Sequence, residues 1–260
     1  MLIAFVVIPL FAMAVAFISN MAGLGGGALL VLFFLYYLGL GSVAAGGLSL
    51  ISIATSSIVG SSSNIRQGQV SIGLFKVLLV FSSIGIVLGS VLSLVVPTDI
   101  FKGIFGFIPI SVGIASIILI LKDRKFKKYT EPKSYFDRGV TSAALVAGTL
   151  SGFTGLGIGG ITGTYLTSMR RMKPKLVFST IVFTMIITSM LGGLIHLGSF
   201  NFPLDTVQYI PLLMAGAAAG VFIGARVSGI VKSKSLRMFQ AVTLIIIGII
   251  AVSIYLVTHI

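Results

Sequence analysis

Residues 20–40 read NMAGLGGGALLVLFFLYYLGL, and residues 151–169 read SGFTGLGIGGITGTYLTSM. Each stretch carries a glycine cluster followed by a short apolar run. The clusters are Gly23-Leu24-Gly25-Gly26-Gly27 and Gly155-Leu156-Gly157-Ile158-Gly159-Gly160, offset by 132 residues. The run after the second cluster, 161–169, is far below the roughly 20 residues that an α-helix needs to cross a bilayer. A glycine turn that opens a helix too short to span decides the fold.

The surrounding chain is a membrane chain. Of 260 residues, 57% are hydrophobic and 9% are charged, with a mean hydropathy of +1.16. A soluble domain carries about 25% charged residues, so an ordinary globular protein is excluded. Disorder is excluded by the apolar composition and a disulfide scaffold by the absence of cysteine. Apolar segments run over 2–20, 28–40, 43–62, 70–96, 100–121, 139–153, 161–169, 175–197, 206–230 and 236–258. The N-terminal run has no basic n-region and no small-residue cleavage site, so it reads as a retained helix.

The most polar stretch, 122–138 (KDRKFKKYTEPKSYFDR), holds seven bases and three acids and divides the chain into two halves of five segments. Further landmarks recur in order. Gly85-Ile-Val-Leu-Gly89-Ser90 matches Gly220-Val-Phe-Ile-Gly224-Ala225, and Phe101-Lys102 matches Leu236-Arg237, both at an offset of 135. The organisation expected is membrane repeat 1 over 1–121, a basic loop over 122–138 and membrane repeat 2 over 139–260.

Loop charge sets the orientation. The net charge of +13 reads as basic cytoplasmic loops and not as a nucleic-acid surface, since no nucleic-acid motif interrupts the apolar runs. The 122–138 loop, Arg170–Lys175, Lys232–Lys234 and the 63–69 loop with Arg66 are expected inside. Pro97–Asp99 and His196–Asp205 are expected outside. These choices agree only if the first two segments of each half return the chain to its starting side. Each pair is then a re-entrant hairpin, or a full helix plus a broken one, followed by three transmembrane helices. The fold expected is an all-α polytopic plasma-membrane protein of two antiparallel, inverted repeats, with both termini outside.

Non-helical backbone within a bilayer is tolerated where protein or a water-filled cavity satisfies its polar groups. Glycines leave amide N–H groups uncovered, and amides at a helix N-terminus favour an anion. The residues expected to line a substrate site are Gly23, Gly25, Gly26 and Gly27 with Asn20, then Gly155, Gly157, Gly159 and Gly160 with Thr154. Ser19 and Ser151 stand beside the same turns. Close helix packing is the alternative role for such glycines. A hydroxyl stripe on each third segment, Ser49/Ser52/Ser56 and Thr180/Thr184/Thr188, adds Ser52, Ser56, Thr184 and Thr188 to the expected site. The alternative there is bonding back to the helix backbone. Arg66 and His196 end the two third segments on opposite faces and are placed at the pathway mouths. Arg66 could equally be a topology charge, and His196 could instead be a solvated loop residue.

These motifs resemble the TauE/SafE family of sulfite exporters and sulfonate permease-like transporters. The carrying features are Gly23–Gly27 with Asn64-Ile65-Arg66-Gln67-Gly68, and Gly155–Gly160 with Gly192-Gly193-Leu194-Ile195-His196. The end of the chain, Gly220-x-x-x-Gly224-Ala225-Arg226 with Leu236-Arg237-x-Phe239, adds to the resemblance. A family Ala-x-x-Thr-Ser stretch is only partly kept at Ala45–Ser49 and Val177–Ile181. The resemblance implies transport of sulfite, sulfoacetate or a related organosulfur anion, with the lipid bilayer as the other partner and no cofactor.

The five acids, Asp99, Asp123, Glu131, Asp137 and Asp205, all fall in or near loops. No carboxylate is available within a span as a proton relay or cation ligand. An anion leaving a negative-inside cell gains about 2.3 kcal/mol per charge per 100 mV, so export can run downhill. With two histidines and no cysteine, a nucleophile–base pair or a metal site has too few candidates, and an enzyme is not expected. The expectation is an anion exporter working by alternating access at a midplane site. An anion channel or an uptake permease of the same architecture is the alternative.

Overall fold

The computed structural model describes residues 2–22, 26–122, 129, 135–227 and 233–259. Among them it is all-helical. Helix α1 spans Leu2–Ala22 and α2 spans Gly27–Leu32, continued by a π-helical turn at Phe33–Tyr37. Then come α3 (Ser42–Arg66), α4 (Ile72–Val95) and α5 (Thr98–Lys122). The second half holds α6 (Arg138–Thr154), α7 (Gly159–Ser168), α8 (Pro174–Leu197), α9 (Tyr209–Val227) and α10 (Ser233–His259). A 3-10 turn at Leu204–Thr206 precedes α9. Among the described residues, six stretches are long and apolar enough to cross a membrane: Ser42–Arg66, Ile72–Val95, Thr98–Leu121, Pro174–Leu197, Leu204–Gly224 and Ala241–Thr258.

Local chemistry sets the helix ends. The Ser71 hydroxyl accepts from the Leu74 N–H at the start of α4, and the Asp137 carboxylate accepts from the Gly139 N–H at the start of α6. Pro174 opens α8 at a position where its missing N–H costs nothing. Gly155, with φ of +74°, closes α6 in the left-handed conformation that glycine adopts without strain.

Packing pairs the helices across the two halves: α1 with α9, α4 with α6, α5 with α10 and α3 with α8. Helix α3 also touches α9, and α4 touches α8. The tightest crossing is α4 on α6, where backbone meets backbone. A Cβ on Gly85 or Gly89 would strike the Leu145 or Thr149 carbonyl, and one on Gly148 or Gly152 would strike that of Ser82 or Ile86. On α9, a Cβ at Gly216 or Gly220 would strike the carbonyl of Pro9 or Met13 on α1. Small residues permit this approach in a bilayer, where apolar side chains gain nothing by leaving lipid.

The interior carries polar side chains, but no described Lys, Arg, Asp or Glu is buried there. Buried polar side chains among the described residues are serines, threonines and His196. The outward faces of α4, α5 and α10 instead carry large apolar groups such as Val80, Leu88, Phe107, Ile118, Ile246 and Ile250. One end of the bundle gathers Arg66, Ser71 against Thr180, and Arg170 paired with Asp137. The opposite end gathers Ser42 against Thr98, Ser93 against His196, and Phe202 against Gly47.

Candidate functional site

The two glycine turns meet inside the bundle. Gly26, with φ of +69°, caps the start of α2, and a Cβ on Gly27 would strike the carbonyl oxygen of Gly155. Gly155 in turn lies against Gly46 on α3, where its Cβ would fall 3.1 Å from the Gly46 Cα. The Ser49 hydroxyl ties the junction together, 2.8 Å from the Gly155 carbonyl and 3.3 Å from that of Gly27. Non-helical backbone at this depth thus finds a partner from α3, as a bilayer requires. Gly157, with φ of +86°, completes the second turn before α7.

Two small cavities flank the junction. The first has a volume of about 30 Å³ and is lined by Ser19, Gly26, Gly27 and Ala28, with Thr243 and Ile247 of α10. The second, about 20 Å³, is lined by Leu150, Ser151, Gly157, Gly160 and Ile161, with Val112 of α5. Leu156 and Leu244 border both. Each volume suits about one or two water-sized groups, so neither admits a sulfonate in this conformation.

The cavities differ in how their serine hydroxyls are bonded. In the first, the Ser19 hydroxyl donates to the Val15 carbonyl at 2.6 Å. In the second, the Ser151 hydroxyl is fully buried and makes no hydrogen bond among the described residues. Beside it, α7 begins at Gly159, so the N–H groups of Gly159, Gly160 and Ile161 have no helical carbonyl to bond. A ten-residue helix carries a positive partial charge at that end. One unpaired hydroxyl and a helix N-terminus therefore converge on the second cavity. Chemically, that combination offers hydrogen-bond donation to an anion, and the cavity lining holds no carboxylate for a cation.

The remaining expected residues divide. Gly159 and Gly160 are buried in the first turn of α7, with Thr154 behind them bonded to the Leu150 carbonyl. Gly23, Gly25 and the Asn20 side chain lie outside the described residues. Ser52, Thr184 and Thr188 are buried, but none of them lines either cavity. The Ser56, Thr184 and Thr188 hydroxyls each donate to the carbonyl four residues earlier, at 2.8, 2.8 and 3.2 Å. Their protons are engaged by their own helices, the backbone alternative named above. Arg66 is the exposed last residue of α3. His196 is no solvated loop residue: it sits in the last turn of α8, fully buried.

Sequence reasoning missed two contributors. Ser49 faces both turns, yet its position in the second half is Ile181, so the duplication gave it no weight. Ser93, 2.9 Å from His196, carried no motif at all. Both lie on helices whose serines recur every few residues, and only packing distinguishes them.

The sequence places the chain in a known group of proteins. The chain matches the family described as Sulfite exporter TauE/SafE over residues 8–251. It is 24% identical to the "Probable membrane transporter protein YunE" of Bacillus subtilis (strain 168), over 94% of this chain and 96% of that protein. No solved structure matches it. With the match running through all the helices from α1 to α10, the chain belongs to the TauE/SafE sulfite exporter family of multi-pass membrane transporters, not to an enzyme family.

Proposed function

We propose that this chain carries small organosulfur anions, of the sulfite and sulfoacetate type, out of the cell. Its site is the junction of the two glycine turns, with the anion held chiefly at the second turn. The observation that carries this reading is the buried, unpaired Ser151 hydroxyl in the cavity of Gly157 and Gly160. An unpaired buried donor costs about 1–3 kcal/mol, a cost that a ligand accepting its hydrogen bond would remove.

The two halves, 1–121 and 139–260, are read as inverted repeats. Helix pairing supports this, because exchanging each helix for its counterpart five places on exchanges α1–α9 with α4–α6 and returns α3–α8 and α5–α10 to themselves. Ser19 and Ser151, at the 132-residue offset, line the two flanking cavities. The end of the bundle with Arg66, Arg170 and Arg171 is assigned to the cytoplasm, together with the 122–138 loop. Both termini then lie outside. Cavities closed to a sulfonate imply that the helices must move for transport, which favours alternating access.

The test is thermal stabilisation of the purified protein by sulfite, sulfate, sulfoacetate, taurine, acetate and phosphate. A ligand that binds the folded state raises the melting temperature by mass action. The expected result is a shift with a sulfur oxyanion that is lost in Ser151→Ala. Shifts only with taurine or with a cation would overturn the reading.

A further inference from the structure

The His196 ring is held in the interior by two hydrogen-bond partners, one of which is itself bonded onward. Nδ1 lies 2.8 Å from the Gly192 carbonyl and Nε2 lies 2.9 Å from the Ser93 hydroxyl. The same hydroxyl lies 2.7 Å from the Ser90 carbonyl. A carbonyl only accepts, so Nδ1 carries a proton. Ser93 has one proton to give. If Nε2 is bare, Ser93 donates to it and the Ser90 carbonyl goes without. If Nε2 is protonated, it donates to the Ser93 oxygen, and Ser93 donates to Ser90. Both ring states keep both nitrogens bonded, and the charged one satisfies all three contacts at once. The site takes up or releases a proton by rotating one hydroxyl.

Among the described residues no charged group stands beside the ring. From α3 the side chain meets Gly46 and Gly47, and from α4 Ser93; Phe202, from the segment after α8, packs against Gly47 beside it. The described bases of these helices, Arg66, Lys76 and Lys175, stand 17 or more residues along their helices from the contact points, about 25 to 30 Å away at 1.5 Å per residue. Asp99 and Asp205 lie at the ring's own end of the bundle and are exposed, Asp99 paired with Lys102 at 3.8 Å. An ionisable group kept inside a membrane bundle without a charged partner marks an ion pathway.

The ring is also placed to sense the anion site. Gly46 is sandwiched: a Cβ there would fall 3.1 Å from Nε2 of His196, while the other side of Gly46 receives Gly155. One glycine's thickness therefore separates the imidazole from the second turn. A positive ring at that distance, in a low-dielectric interior, attracts an anion at the turn, and the anion favours the charged ring in return.

We propose that His196 is a proton-binding site, with Ser93 as its hydroxyl relay, and that the transporter binds its anion together with a proton there. The coupling rests on the anion reading given above, whereas the proton site does not. With two histidines in the chain, His259→Asn leaves one ring to observe. The experiment is nitrogen NMR of imidazole-labelled H259N protein in nanodiscs from pH 5.5 to 8.5, with and without sulfoacetate, which is ionised throughout. The expected result is a neutral ring protonated at Nδ1 at high pH that becomes doubly protonated on acidification. Sulfoacetate should raise the midpoint by about one unit, a tenfold linkage. Ser93→Ala should lower the midpoint, because the charged ring loses its acceptor. A ring that stays neutral throughout overturns the proton site. A midpoint unmoved by sulfoacetate that measurably stabilises the protein overturns the coupling. If no anion in the panel binds, the anion reading and the coupling fall together, while a titrating ring still establishes the proton site.

Discussion

Replacing Ser151 with alanine separates the binding role of the second turn from its structural role. The hydroxyl is buried and makes no hydrogen bond among the described residues, so its removal deletes a desolvated polar group without breaking a contact. The unliganded protein should be unchanged or more stable by up to about 1 kcal/mol. Binding should respond in the opposite sense. A hydrogen bond to a charged acceptor is worth about 1.5–3 kcal/mol, which at 1.4 kcal/mol per decade weakens sulfoacetate or sulfite by about 10- to 150-fold. Two controls isolate the cause. Thr162 also has an unpaired buried hydroxyl but does not line the cavity, so Thr162→Ala should leave affinity unchanged. Ser19 already donates to Val15, so Ser19→Ala should weaken binding by less than Ser151→Ala does. The assay is ligand-dependent melting over a concentration series, which gives both unliganded stability and affinity. Wild-type affinity in S151A, in protein that folds normally, would refute the second turn as the anion's main holder.

Two further predictions address the framework. Gly27→Ala pushes a methyl group into the Gly155 carbonyl and should cost about 1–3 kcal/mol by overpacking, seen as a lower melting temperature. Gly41→Ala, with only Thr98 Oγ1 at 3.5 Å from the new methyl, should leave the melting temperature equal or slightly higher. Because the chain has no cysteine, single substitutions report orientation directly. In intact cells Phe200→Cys should react with a membrane-impermeant maleimide, and Tyr129→Cys should react only after permeabilisation. The reverse pattern would invert the assigned topology.

The helices were legible because each is bounded by a strong signal. The apolar runs 43–62, 70–96 and 175–197 became α3, α4 and α8 with boundaries shifted by a few residues, since caps such as Ser71 and Pro174 stand where the hydropathy changes. Glycine clusters before short segments announced the turns at Gly26 and Gly155, because positive φ restricts the residue choice. The hydroxyl stripes were harder to assign. A serine or threonine on a membrane helix can bond its own backbone or face a pathway, and periodicity is the same for both. Ser56, Thr184 and Thr188 took the backbone. Ser49 and Ser151, off the recurring pattern or outside the stripe, face the junction and its cavity. His196 was legible as the end of a segment but not as a buried one, because its partners come from Ser93 and Gly46, over 100 residues away in sequence.

The glycine crossings also bear on how the site could open. If the halves rocked as intact repeats, α4 would slide over α6 and α1 over α9. Those are the interfaces where backbone already rests on backbone, as at Gly89 on Thr149 and Gly220 on Met13. Close-packed contacts of that kind shift between discrete arrangements and do not slide freely. The boundary between α3 and α8 is different in make-up. It brings Gly46 and Gly47 against the His196 side chain, and Gly193 first against the Ile51 side chain. The nearest α3 backbone atom lies 3.5 Å from the Gly193 Cβ position, a looser approach than α4 on α6. The expected moving bodies therefore mix the repeats, α1 and α9 travelling with α3, and α4 and α6 with α8. Paired cysteines in this cysteine-free chain test the division. Ser82→Cys with Ala144→Cys would lock α4 to α6, where the Ser82 hydroxyl lies 3.3 Å from the Ala144 carbonyl. Ile51→Cys with Gly193→Cys would lock α3 to α8. Oxidation of the first pair should leave transport of sulfoacetate into vesicles intact, and oxidation of the second should stop it, with reduction restoring it. Block by the first pair and tolerance of the second would mean that the repeats themselves are the moving bodies.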